Sequence, residues 1–282
     1  MNSSCDCTAA QKSASANVET GGVEGEERPL LESRPRTSQS LGARWRTSMM
    51  MDVDRDGADV VLLFCYMITG LLDSSSISTW GSFVAMQTGN TVFFGLGLAA
   101  PTASTRWIKS GTSLGCFGIG SFLFSRFHRH FSARRRWVMF ASFATQMLFI
   151  VAAVAVVDMY PSSSQDDVTW NVLMPVAAIA FQSSGQAVVS RALECTGFTS
   201  VVLTSIYCDL FSDTDLFAMK NADRNRRVAA PVLLLIGGAA CGLYFARSEV
   251  GITGALWTAA SRKLFIAVSW LLWPGSRNTP EN

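Results

Sequence analysis

After residue 57 apolar residues gather in runs too long and too uniform to be one face of a water-soluble helix. A membrane-crossing helix needs about 20 mainly apolar residues, with a working range of about 17 to 25. Six stretches meet that requirement: 59–80, 107–125, 137–157, 172–190, 229–246 and, less cleanly, 252–273. Two shorter apolar stretches are left over. One, 83–100, is interrupted by Gln87, Thr88, Gly89 and Asn90; the other, 198–211, carries Asp209 near its end. Residues 1–56 are rich in Ser, Thr, Gly, Glu and Arg and show no apolar period. Such a segment buries too little apolar surface to offset chain entropy. The pattern predicts a disordered cytosolic tail over 1–56, a transmembrane domain over 57–273 and a short cytosolic tail over 274–282. With no apolar core near the start to serve as a signal peptide, the first span is expected to act as the targeting signal.

The placement of charge decides whether the two short stretches also cross. Lys and Arg in short flanking loops favour the cytoplasm. The basic segments are the tail (Arg34, Arg36, Arg44, Arg46, Arg55), the loop Arg126 to Arg136, and the group Lys220, Arg224, Arg226 and Arg227. The segment 158–171 has Asp158, Asp166 and Asp167 and no Lys or Arg. Eight crossings would force some of the basic segments outside, whereas six place all of them inside. The expected architecture is therefore an all-α polytopic membrane bundle of about six spans. Residues 83–100 and 198–211 are read as re-entrant or broken-helix segments, tolerated at membrane depth only where protein or a watery cavity satisfies their backbone.

Composition agrees with this reading. Only 16% of the 282 residues are charged, against about 25% in soluble domains. The net charge of +2 is too small to suggest nucleic-acid binding. Seven cysteines show no C-x-x-C pair and no zinc spacing, and read as small apolar residues. No metal pattern, phosphate loop or nucleophile elbow occurs, so neither a cofactor nor an enzyme activity is expected.

The two halves, about 57–157 and 172–273, follow the same order: a span, a polar interruption, a short broken apolar segment, then two spans. In the first half Gly70, Asp73 and Ser74 to Ser76 precede Thr88, Gly89 and Asn90. In the second, Gly185, Gln186 and Arg191 precede Thr204, Ser205 and Asp209. Three crossings per half make the repeat inverted, and paired short or Gly-interrupted segments in inverted halves point to a transporter's central site.

At Gly70 with Asp73, and at Met86 to Asn90, the chain resembles the YoaK-like family of multi-spanning membrane proteins. The run Gln87 to Val92, with Gln182 to Arg191 and Val202 to Asp209, is similar to its fungal branch. The resemblance covers about 57–273. It implies a membrane protein without a settled activity.

Charges inside a span cost about 2.5–3.5 kcal/mol each and are functional candidates by default. Asp73 suits proton or cation binding, or a capped interfacial helix end. Gln87, Thr88, Gly89 and Asn90 suit coordination of a small solute, or the packing of a tight turn. Gln186, Thr204 and Asp209 are the second-half counterparts. Arg262 and Lys263 lie inside the last span and would have to snorkel, pair with Asp73 or Asp209, or precede a later helix start. His128 and His130 read as part of a basic patch facing lipid headgroups. Glu26 with Leu30 and Leu31 resembles an acidic dileucine signal for clathrin adaptors, so a vacuolar or endosomal membrane, or the plasma membrane, is expected. The function expected is a secondary transporter, less readily a channel, for an unidentified small solute. A membrane enzyme acting on lipid-like substrates and a non-transporting scaffold remain alternatives.

Overall fold

A computed structural model describes residues 41–53, 58–161, 166–193, 203–214 and 222–273. Among them every regular element is helical, and the protein is an all-α helical bundle. The chain divides into residues 1–39 and 40–282, and the helices belong to the second unit. Glu26, Leu30, Leu31, Lys220 and residues 274–282 lie outside the described residues.

The order is α1 (Leu41–Met50), α2 (Ala58–Trp80), α3 (Gln87–Ala99), α4 (Arg106–Phe131), α5 (Arg136–Met159), α6 (Trp170–Ala192), α7 (Leu203–Phe211), α8 (Ala222–Leu235), a π-helical segment (Ile236–Cys241), α9 (Gly242–Arg247) and α10 (Gly251–Leu272). Helix α1 falls where the sequence reads as structureless tail, and that reading is corrected for residues 41–53. The backbone after α1 is held against the α4–α5 turn: Val53 N donates to Arg134 O at 2.9 Å and Arg136 N donates to Met51 O at 3.2 Å. Arg136 Nη1 also donates to Ser48 Oγ at 2.7 Å.

Three segments are long and apolar enough to cross a membrane: Val61–Trp80, Arg136–Met159 and Trp170–Ala192. They fit a membrane protein. Helices α4 and α10 are as long, 26 and 22 residues, but α4 ends in His128, Arg129 and His130 and α10 carries Arg262 and Lys263 in mid-helix. Helices α3 and α7 have 13 and 9 residues. At 1.5 Å per residue they reach only about 20 and 14 Å, short of a core about 30 Å thick. These two are the short apolar stretches of the sequence, the second described only from Leu203.

Packing follows a pattern with two matching parts. Helix α4 packs on α6, as the α8–π–α9 rod packs on α2; α5 packs on α6, as α10 packs on α2; α3 packs on α4, as α7 packs on α8; and α5 and α10 pack on each other. Two glycines make the corresponding close approaches. A Cβ at Gly120 would collide with Phe181 O and Ser184 Oγ, and one at Gly237 would collide with Met67 O. Where lipid tails are as apolar as the side chains, such backbone contact replaces hydrophobic burial as the source of helix association. Gln146 on α5 and Lys263 on α10 are 117 positions apart, the same separation as Gly120 and Gly237.

Candidate functional site

The first polar cluster is built on the far half of α2, which continues through Ser74 to Ser76 and ends only at Trp80. Hydroxyls along it bond back to carbonyls within the helix: Thr69 to Cys65 O at 3.0 Å, Ser74 to Leu71 O at 3.1 Å and Ser78 to Ser74 O at 2.6 Å. Such back-bonding lets hydroxyls sit inside an apolar helix without orphaned protons. After Trp80 the chain turns at Gly81, whose φ of 75° belongs to the left-handed region that glycine enters freely. The backbone from Gly81 to Met86 is irregular and so needs side chains to satisfy it.

Asp73 and Asn90 supply that satisfaction. Asp73 Oδ1 accepts from Val84 N at 2.9 Å and Ala85 N at 2.8 Å. Asn90 Oδ1 accepts from Phe83 N at 3.1 Å and Ser82 Oγ at 3.2 Å, while its Nδ2 donates to Phe83 O at 2.8 Å, Ser113 Oγ at 3.0 Å and Gln87 Oε1 at 3.1 Å. An amide has two donors and two lone pairs, so the hydrogen-bonding capacity of Asn90 is taken up by the protein itself. Gln87 Nε2 donates to Val84 O at 3.1 Å and to Ser113 Oγ at 3.2 Å. Gly89 lies against the Phe83 ring, and Thr88 is exposed.

The second cluster lies one helical turn back along the same face of α2, where Thr69 precedes Asp73 by four residues. Lys263 of α10 is 0% exposed. Its Nζ donates to Gln146 Oε1 and to Gln186 Oε1, each at 2.6 Å, and lies 5.1 Å from the centre of the Phe143 ring. Gln186 of α6 passes the chain on: its Nε2 donates to Thr69 Oγ1 at 2.9 Å and to Cys65 O at 3.3 Å. Gln146 of α5 does the same on the other side, donating to Ser142 Oγ at 3.3 Å, which in turn bonds His128 Nε2 at 3.2 Å. Five helices thus meet in one buried polar chain. On α6 Gln182 lies one turn from Gln186; it is buried, and its Oε1 has no partner.

The magnitudes show what holds this charge. Charge-assisted hydrogen bonds contribute about 1.5–3 kcal/mol each and a desolvated cation–π contact about 2 kcal/mol. Together they offset the membrane cost of an ammonium, about 2.5–3.5 kcal/mol on insertion scales. They do not neutralise it. Among the described residues no carboxylate lies within ion-pair distance of Lys263, so pairing with Asp73 or Asp209, one of the three arrangements open from the sequence, is not made. Arg262 likewise has no partner there, and its Nη1 is buried. The described residues contain no group of three His, Cys, Asp or Glu side chains that could hold a metal.

The sequence-predicted residues fall into three places. Asp73, Gln87, Gly89 and Asn90 come together at the loop before α3, with Thr88 beside them at the surface. Gln186 belongs to the Lys263 cluster. Thr204 and Asp209 are exposed on α7, and the contact seen at Asp209 is through its backbone carbonyl, which accepts from Arg227 Nη1 at 3.2 Å. Arg227 also pairs with Asp213 at 3.4 Å. His128 departs from the headgroup-facing reading: it is 2% exposed, whereas His130 is exposed. Sequence reasoning missed Thr69, Ser142 and Gln146. The available signal was Gln146, an amide standing alone in the apolar run of α5.

Beside this cluster, between α4, α5 and α6, is a cavity of about 220 Å³ lined by Leu123, Phe124, Phe127, Phe149 and Phe181, with the hydroxyl residues Ser142 and Thr145.

No curated protein and no solved structure matches the chain. A family model described as "Protein of unknown function (DUF1275)" matches residues 61–269, from α2 into α10, and takes in both polar clusters. The chain belongs to this DUF1275 family.

Proposed function

We propose that the protein is a secondary transporter for a small solute, with its central site at the Lys263, Gln146 and Gln186 cluster. The observation that carries this reading is a fully buried ammonium held, among the described residues, by neutral amide oxygens and an aromatic face, between helices whose packing partners correspond in pairs. Intramembrane charges are costly and mark substrate or ion pathways. Transporters built from inverted repeats place such sites at the repeat interface. In this reading α2, α4, α5, α6, the α8–π–α9 rod and α10 cross the membrane, both termini are cytosolic, and the halves 57–157 and 172–273 are inverted repeats. Helices α3 and α7 are the short elements flanking the site. Asp73, Gln87, Thr88, Gly89 and Asn90 shape one wall through the loop they hold, and Thr204 and Asp209 belong to the corresponding wall of the other half.

The run Gln87 to Val92 supports a place in the fungal-type branch of YoaK-like proteins. Glu26, Leu30 and Leu31 are read as an adaptor-binding signal that sends the protein to a vacuolar or endosomal membrane. Replacing Leu30 and Leu31 by Ala is then expected to move a tagged protein to the cell surface; an unchanged distribution would remove the signal.

The transport reading is tested with purified protein in proteoliposomes offered a labelled panel of small acids, amines and sugars. Wild-type protein is expected to accumulate at least one of them and Lys263→Ala none. Failure of the whole panel, together with unaltered metabolite levels in cells lacking or overproducing the protein, would overturn it.

A further inference from the structure

Lys263 carries one positive charge into the centre of the bundle, and the protein supplies no negative charge to meet it among the described residues. The two partners are amides, and each amide is backed by a hydroxyl, Ser142 behind Gln146 and Thr69 behind Gln186. A hydroxyl donates as readily as it accepts. Gln146 can therefore turn over, giving its oxygen to Ser142 and its Nε2–H to the centre; Gln186 keeps its orientation, because its Nε2 also donates to Cys65 O, which a turned Oε1 would meet acceptor to acceptor. With Gln146 turned, the cluster presents an ammonium and an N–H donor to the same point, one for each oxygen of a carboxylate.

The surroundings narrow the ligand further. One ammonium balances one negative charge, so a monoanion leaves the site neutral and a dianion does not. The neighbouring walls are aromatic: Lys263 lies over Phe143, which stacks on Trp270 with ring centres 6.3 Å apart. Trp270 Nε1 is buried without a partner. The cavity of about 220 Å³ bounded by Phe124, Phe149 and Phe181 begins at Ser142, one side chain away from Gln146. We infer that Lys263, with Gln146, binds the carboxylate of a small monocarboxylic acid whose apolar body packs on these aromatic walls. The inference names the substrate class of the transport reading and rests on it for direction of movement, but not for binding.

The test uses full-length protein in nanodiscs of zwitterionic phosphatidylcholine, with benzoate as probe and benzamide as its uncharged counterpart. Thermal unfolding is followed as each is titrated. Benzoate is expected to raise the midpoint and benzamide to leave it unchanged. In Lys263→Gln, which keeps a polar side chain beside the two amides, benzoate binding is expected to weaken about ten- to a hundredfold, as for the loss of a charge-assisted hydrogen bond. Gln186→Glu keeps the fold accessible to test by another route. It places a carboxylate where Gln186 Oε1 now meets Nζ at 2.6 Å, so this variant is expected to be more stable than wild type and to lose benzoate binding to a similar extent. Equal shifts with benzoate and benzamide, or benzoate binding retained in both variants, would overturn the inference. So would Lys263-dependent stabilisation by phosphatidylglycerol alone, which would assign the charge to a lipid headgroup. Lys263-dependent benzoate binding without any flux in proteoliposomes would remove the transport reading and leave the site. Flux that survives in Lys263→Gln would do the reverse.

Discussion

Asp73 and Lys263 are both buried charges on inward-facing helix surfaces, yet their partners give them different work. Asp73 accepts two backbone N–H groups that would otherwise be orphaned in the Gly81–Met86 turn, which makes it a clamp on that turn. Removing the acceptor leaves two buried donors unpaired, so Asp73→Ala is expected to destabilise the protein by about 3 kcal/mol, read as a lowered unfolding midpoint in detergent. Asp73→Asn keeps one acceptor oxygen and is expected to retain most of the stability. Equal losses in both variants would mean that the negative charge, rather than the acceptor, is what the turn requires. Among the described residues Lys263 meets only neutral acceptors, and that difference is why the functional reading is centred on it.

The long apolar helices, and the two short ones between them, were legible in the sequence. The runs 59–80, 137–157 and 172–190 appear as α2, α5 and α6, because uniform apolar composition leaves the backbone no partner in lipid except itself. The interruption Gln87 to Asn90 was legible as a break, but the break lies just before it, at Gly81 to Met86, and Gln87 begins α3. Periodicity does not show that an Asn side chain will reach back seven residues to hold a turn. Helix α1 was not legible either, since Leu41, Trp45 and Met49 make only a three-residue stripe next to a polar tail; its end is held by backbone bonds to the α4–α5 turn. The pairing of Gln146 with Lys263 was hidden because it joins helices 117 positions apart, and only the packing of α5 on α10 shows it. At this scale six crossings place the α4–α5 turn and the start of α8 on the same side. Tags inserted after Arg136 and after Arg224 are both expected to report the cytosol. One reporting the opposite side would break the six-span arrangement and the inverted repeat with it.

At the scale of the whole molecule, the matching packing of the two halves around Lys263 makes alternating access the central claim. A membrane scaffold would keep this cluster closed to both sides, whereas a transporter must open it to each in turn. Cys65 is a native reporter. It is 0% exposed, and its carbonyl accepts from Gln186 Nε2, so labelling its thiol requires the cluster itself to open. The deciding measurement is alkylation of Cys65 by a membrane-impermeant maleimide, in protein whose other six cysteines are replaced by Ser, in sealed vesicles of each orientation. The account predicts labelling from both faces. A thiol that stays unreactive from either face, and reacts only after denaturation in detergent, would contradict it.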